Sequence, residues 1–153
     1  MVQQHLLGKI RAYASENIEV NSGTTHTVKS LIYKHFEHLS LYKNAEFAAI
    51  QSCSHLPDKL SFPLQLSNLI WELAGDTSTD MNYYSKRLIL AGIYTATLLY
   101  WYKNNSPLSD VMAFFDQRLK NHIILANKGK YAKNSLRGIK KNILFLRDYF
   151  STN

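Results

Sequence analysis

Apolar residues along this chain recur at spacings of three and four rather than two, and no run alternates as a half-buried strand would, so the pattern predicts an all-helical protein. In the first predicted helix, Val2 to Ser15, Leu6, Leu7, Ile10 and Tyr13 share one face. Asn21-Ser-Gly-Thr-Thr25 follows as a loop ending in a helix cap. A second helix is predicted from about His26 to Leu41, with Val28, Leu31, Ile32, His35, Phe36 and Leu39 as its buried stripe. A third covers about Ala45 to Ser54 and stops before Pro57. Ser61-Phe-Pro63 opens a fourth, because a proline in the first turn forfeits no helical hydrogen bond, and Gly75 ends it in the left-handed conformation. Asp76-Thr-Ser-Thr-Asp80 is then a polar loop, with Ser78 or Thr79 capping the next helix and Asp80 in its positive first turn. From Leu88 to Tyr102 fifteen residues carry no charge. A membrane span takes about 20 apolar residues, and Thr95, Thr97 and three tyrosines interrupt this stretch, so it reads as a buried central helix enclosed by neighbours or facing a nonpolar ligand. Ser106 and Pro107 open a helix to about Ala126, Asn127-Lys-Gly-Lys130 forms a basic link, and a last helix runs from about Tyr131 to Phe150.

At 153 residues, 46% hydrophobic and 19% charged, the chain suits one soluble domain with its own core. Its net charge of +7 points to an anionic partner, nucleic acid or membrane. The charge is unevenly placed: residues 1–116 net −1, whereas residues 117–153 hold nine basic side chains against Asp148 and net +8. In the last helix Ala132, Leu136, Ile139, Ile143, Leu146, Tyr149 and Phe150 fall on one side, and Lys133, Arg137, Lys140 and Lys141 on the other. Such a basic amphipathic helix fits an anionic membrane surface, through Lys133, Leu136, Arg137, Ile139, Lys140, Ile143, Leu146 and Phe150; the alternative is a helix packed on its own domain with a solvated basic back. This divides the chain into a helical domain at 1–127 and a linker with a docking helix at 128–153. Specific nucleic-acid binding is not expected, since the first 60 residues hold only six Lys or Arg, in two long helices rather than a helix-turn-helix.

Catalytic and metal chemistry find little support. The lone Cys53 excludes an internal disulfide and a multi-cysteine metal site, and reads as a core residue. His35 and His38 flank Glu37, but no second Glu-x-x-His set accompanies them, so the histidines read as surface or satisfied half-buried groups and no cofactor is expected. No nucleophile elbow, Cys-His signature or phosphate-cradling glycine loop is present. Asp76 and Asp80 are near enough in sequence for an acid/base pair, as in a helical hydrolase or oxygenase, yet capping of the following helix explains them more simply.

The run Trp71-Glu-Leu-Ala-Gly-Asp-Thr-Ser-Thr-Asp-Met-Asn-Tyr-Tyr-Ser-Lys-Arg87 resembles the signature W-x-x-A-G-D-x-S-T-D-x-N-W-Y-x-K/R-R of the coenzyme Q biosynthesis protein nine family, lipid-binding accessory proteins of ubiquinone biosynthesis. Looser similarity extends from about Val28 to His122, including His55-Leu-Pro57 and Phe114-Phe-Asp-Gln-Arg-Leu119; Tyr83 stands where the family has Trp. The resemblance implies an all-α bundle like the TetR regulators, lacking here most of the N-terminal helix-turn-helix, with a C-terminal amphipathic helix. It also implies a non-catalytic, dimeric protein that binds an isoprenoid quinone precursor or phospholipid and presents the precursor to a di-iron demethoxyubiquinone hydroxylase at the membrane. Asp80, Tyr83, Tyr84 and Arg87 then match an exposed partner-binding patch, and Trp71, Leu88, Ala91, Ile93, Tyr94 and Leu98 are the expected lipid-binding positions. With neither a secretory signal in the first 13 residues nor a transit peptide, the inner face of a bacterial cytoplasmic membrane is the expected location. The alternative is a remnant of a TetR-like ligand-binding transcriptional regulator.

Overall fold

A computed structural model describes residues 2–17, 23–45, 48 and 56–127, without the side chains at 2, 56–59, 80 and 123–127. These residues form α1 (Val2–Asn17), α2 (Thr24–Leu39), α3 (Leu56–Leu73), α4 (Asp80–Asn104) and α5 (Leu108–Asn127), and no strand occurs among them. The all-α class read from the spacing therefore holds. Most of the predicted Ala45–Ser54 helix, Cys53 and the whole of residues 128–153 lie outside the described residues.

Contacts divide the chain into two compact units, residues 1–87 and 88–153. In the first, α1, α2 and α3 pack on one another. Leu6, Ile10 and Ala14 of α1 are buried at intervals of four, and α2 buries the expected Val28, Leu31, Ile32, His35, Phe36 and Leu39. Phe62, Leu66, Leu69 and Ile70 of α3 complete this apolar core. Burial of such side chains, worth about 1.5–3 kcal/mol each, is what holds short helices that would be marginal alone.

The start of α3 differs from the expectation. Pro57, in the first turn, meets the conformational rule applied above to Pro63, whereas Pro63 stands inside the helix. An interior proline costs about 3 kcal/mol, and the buried residues on either side of it, Phe62 and Leu66, offset that cost. The other end of α3 forms as expected. Gly75 has φ +72, its N–H donates to the Glu72 carbonyl (3.0 Å), and the Asp76 N–H reaches back to the Trp71 carbonyl (3.0 Å). This paired closure needs a left-handed residue at position 75, the conformation glycine adopts without a Cβ penalty.

In the second unit, α5 buries Val111, Phe115 and Leu119 at intervals of four. Phe114 stacks on Tyr100 (centroids 4.4 Å, planes 5° apart) and carries the Arg118 guanidinium over its ring at 4.8 Å. The uncharged part of α4 is not apolar and enclosed all round. Leu90, Ala91, Ile93, Tyr94, Leu98 and Trp101 are buried, but Leu88 and Tyr102 are 42% and 41% exposed. The buried Thr95 and Thr97 hydroxyls donate to the Ala91 and Ile93 carbonyls (2.8 Å each), so neither interrupts the apolar side with an unsatisfied group. Asn105 ends α4 with φ +47, a conformation that asparagine tolerates better than most residues.

Candidate functional site

The closure at Gly75 fixes where Asp76 begins its side chain, and that side chain becomes the centre of a charged cluster in the first unit. Its carboxylate is only 2% exposed. The Ser78 hydroxyl donates to Oδ2 (2.6 Å) and the Ser78 N–H approaches Oδ1 (3.4 Å), which folds the loop around the carboxylate. Lys86 Nζ bonds Oδ1 at 2.6 Å and Arg87 Nη1 bonds Oδ2 at 3.2 Å, both from the second turn of α4. Burial would raise the Asp76 carboxyl, but the hydrogen bonds from Lys86, Ser78 and Arg87 outweigh it and hold the group at about 2.

A neutral layer seats the same two basic residues on α3. Asn68 Nδ2 donates to Glu72 Oε1 (2.7 Å), which turns Asn68 Oδ1 to accept from Arg87 Nε (2.7 Å) and the Tyr83 hydroxyl (3.1 Å). Arg87 also donates to the Tyr83 carbonyl (3.1 Å) and lies over the Tyr83 ring at 3.3 Å. The Trp71 indole N–H donates to the Lys86 carbonyl (3.1 Å), and Lys86 Nζ sits 5.1 Å from the centre of the indole ring. The end of α3, the loop and the first two turns of α4 are thus clamped by charge-assisted bonds that are largely withdrawn from water.

This geometry corrects two of the four expected patch residues. Arg87 is 7% exposed and committed to Asp76 and Asn68, and Tyr83 is half-buried beneath it, so neither is a free surface anchor. The side chain of Asp80 lies outside the described residues; the acid paired with Arg87 is Asp76. Spacing puts 80, 83, 84 and 87 on one broad helix face, but Arg87 and Tyr84 are about 60° apart around the axis, and the covered side ends between them. Tyr84 remains 62% exposed and Met81, one turn before it, 71% exposed. Met81 carries no polar or charged group, so the polar pattern of the motif does not single it out.

Of the expected lipid-binding positions, Trp71 is half-buried and engaged by Lys86, Leu88 is exposed, and Ala91, Ile93, Tyr94 and Leu98 are buried. Lys133, Leu136, Arg137, Ile139, Lys140, Ile143, Leu146 and Phe150 lie outside the described residues. The acid/base pairing of Asp76 with Asp80 loses its basis, because a carboxylate holding two cations and a hydroxyl is a structural counter-ion rather than a free base. His35, expected at most half-buried, is fully buried, and among the described residues no group of three His, Cys, Asp or Glu side chains is placed to hold a metal.

The cluster and the exposed turn beside it define an all-helical protein with a rigidly presented surface. Residues 56–125 match the COQ9 family model, in line with the motif resemblance. The chain is similar to the mitochondrial ubiquinone biosynthesis protein COQ9 of rat (Rattus norvegicus), 34% identical over 82 residues, which are 53% of this chain and 26% of the relative. Similarity to the cattle (Bos taurus) protein is 30% over 90 residues, 58% of this chain and 28% of the relative. The human (Homo sapiens) protein is 32% identical over 82 residues, 53% of this chain and 26% of the relative. The chain therefore spans about a quarter of the length of these relatives. No solved structure matches it, so the TetR likeness rests on the motif resemblance alone. The expected bacterial cytoplasmic location is overturned, since these relatives are named as mitochondrial proteins. Among the described residues no helix is long and apolar enough to cross a membrane.

Proposed function

We propose that this chain serves ubiquinone biosynthesis as a non-catalytic accessory, which binds an isoprenoid quinone precursor and presents it to the di-iron demethoxyubiquinone hydroxylase at an anionic membrane surface. The observation that carries this reading is the position of Met81 and Tyr84. They stand exposed on the first turns of α4, within the COQ9-matched region, beside a cluster that fixes the backbone beneath them. A rigid turn bearing an exposed tyrosine and methionine supports a protein-docking role, because little conformational freedom is lost on binding and aromatic side chains dominate interface energetics. Tyr84→Ala is expected to weaken hydroxylase binding roughly tenfold or more, measured by titration calorimetry, with helicity unchanged by circular dichroism. Unchanged affinity removes the surface from the reading.

In this reading Ala91, Ile93, Tyr94 and Leu98 provide the apolar side of α4 for the lipid, and the basic residues between 128 and 153 meet anionic headgroups. An organic-solvent extract of the purified chain, analysed by mass spectrometry, is expected to contain an isoprenoid quinone or its precursor. An extract free of isoprenoid and phospholipid overturns the lipid-carrying role.

A further inference from the structure

The exposed turn at the start of α4 has two unlike halves. Tyr84 is fixed: its ring meets the Tyr83 ring edge-on, with centroids 5.2 Å apart and planes at 80°, and the Tyr83 hydroxyl is in turn anchored on Asn68 (3.1 Å). Met81 lies three residues earlier, about 60° away around the axis, and is 71% exposed. Its side chain makes no hydrogen bond among the described residues. An unbranched thioether in that position adapts to the shape of whatever covers it, whereas the tyrosine beside it does not move.

The same thioether is open to hydrogen peroxide. One peroxide oxygen transfers to sulfur: the S–O bond forms as the O–O bond breaks, sulfur gives up two electrons, and the peroxide leaves as water. The sulfoxide is polar and chiral where the thioether was apolar. Met112, by contrast, is half-buried in α5, and Met1 lies outside the described residues. The fold does not lean on the Met81 side chain. The first turns of α4 are held through backbone and charge: the Tyr83 N–H donates to the Thr79 carbonyl (3.3 Å), the Ser85 hydroxyl to the Met81 carbonyl, and Lys86 and Arg87 are bound to Asp76. Oxidation at position 81 therefore alters the surface and leaves the helix standing, unlike oxidation of a methionine packed in a core.

We propose that Met81 is a reversible oxidation site, and that its sulfoxide releases the Met81–Tyr84 surface from its protein partner. This rests on the docking role proposed above and adds its regulation. A sulfoxide oxygen pressed against an apolar partner surface loses its water and gains no donor in exchange, so the complex is weakened while the free chain is not. A partner that reduces dioxygen at iron is itself a source of peroxide, which reaches the exposed Met81 between binding events.

The test treats the full chain with hydrogen peroxide, maps sulfoxide by peptide mass spectrometry and titrates the di-iron hydroxylase by calorimetry. Met81 is expected to oxidise before Met112, and hydroxylase affinity to fall about tenfold with an unchanged urea midpoint. Methionine sulfoxide reductases of both epimer specificities are expected to restore the affinity. Met81→Leu, whatever its own affinity, is expected to show no dependence on peroxide. Full affinity with Met81 oxidised overturns the proposal and leaves the docking role intact. An equal peroxide-dependent loss in Met81→Leu also overturns it, by assigning the effect to another residue such as Cys53. A urea midpoint that falls in step with affinity does the same, because it marks damage to the fold. A parent chain that fails to bind before oxidant is added overturns the docking role, and this inference with it.

Discussion

Asp76→Ala is expected to lower the unfolding free energy by about 3–5 kcal/mol, the usual loss when one member of a buried ion pair is removed. The cost comes chiefly from Arg87, whose side chain is 9% exposed and cannot turn its freed Nη1 to water, whereas Lys86, 32% exposed, can. Arg87 keeps Asn68 and the Tyr83 carbonyl, which places the expected loss toward the lower end of that range. The measurement is a urea titration in which the midpoint falls while the slope stays constant. Asp76→Asn keeps the volume and some acceptor capacity, so its loss is smaller. Acid titrates the same interaction. Holding the folded carboxyl at about 2 against an ordinary 3.8 contributes about 2 kcal/mol. Because the folded value is the lower one, this stabilisation is fully present above pH 3.8 and is lost as the pH falls toward 2. Asp76→Asn should flatten that acid limb. A parental midpoint in both variants would refute the role of the carboxylate.

Local features of this fold were legible and tertiary ones were not. The α2 stripe from Val28 to Leu39 follows from residue spacing alone, and the Gly75 terminus follows from a conformation that one residue type favours. Two prolines six residues apart both satisfied the rule for a helix start, and only packing around Phe62 and Leu66 decides that Pro63 is interior. The Asp76 cluster joins a loop residue to partners ten and eleven positions later, and no periodicity connects them. A signal was nevertheless present: Asn68 and Glu72 lie four apart on a helix otherwise rich in apolar residues, and adjacent Lys86 and Arg87 need a counter-charge. Helix geometry placed Arg87 near Tyr84 but could not say which side α3 covers. That side decides which of them is available to a partner.

His35→Leu is expected to remove most of the acid sensitivity that the protein shows between pH 7 and pH 5. The imidazole is fully buried in α2, with the rings of Phe36 and Phe62 each 5.9 Å away. Burial first, and then the nearby His38, lower it from 6.5 to about 3, so the folded protein keeps it neutral through the whole physiological range. The unfolded chain takes up a proton below pH 6.5 that the folded chain refuses. Stabilisation is therefore complete above that pH and declines by about 1.4 kcal/mol per pH unit as the pH falls toward 3. The loss reaches about 2 kcal/mol at pH 5 and about 4 kcal/mol at pH 3, a large share of the 5–15 kcal/mol typical of a folded domain. His38 and His122, both lowered chiefly by burial, act in the same direction. Urea titrations at pH 7 and pH 5 should show the decline in the parent and a much shallower one in His35→Leu; equal declines would sink the assignment. The Asp76 contribution falls away only below about pH 3.8, where the unfolded chain protonates first, so the two groups separate experimentally. Most of the loss between pH 6.5 and 4 should disappear with His35 and the additional loss below pH 4 with Asp76, which distinguishes the α1–α3 core from the clamp between α3 and α4 within one titration.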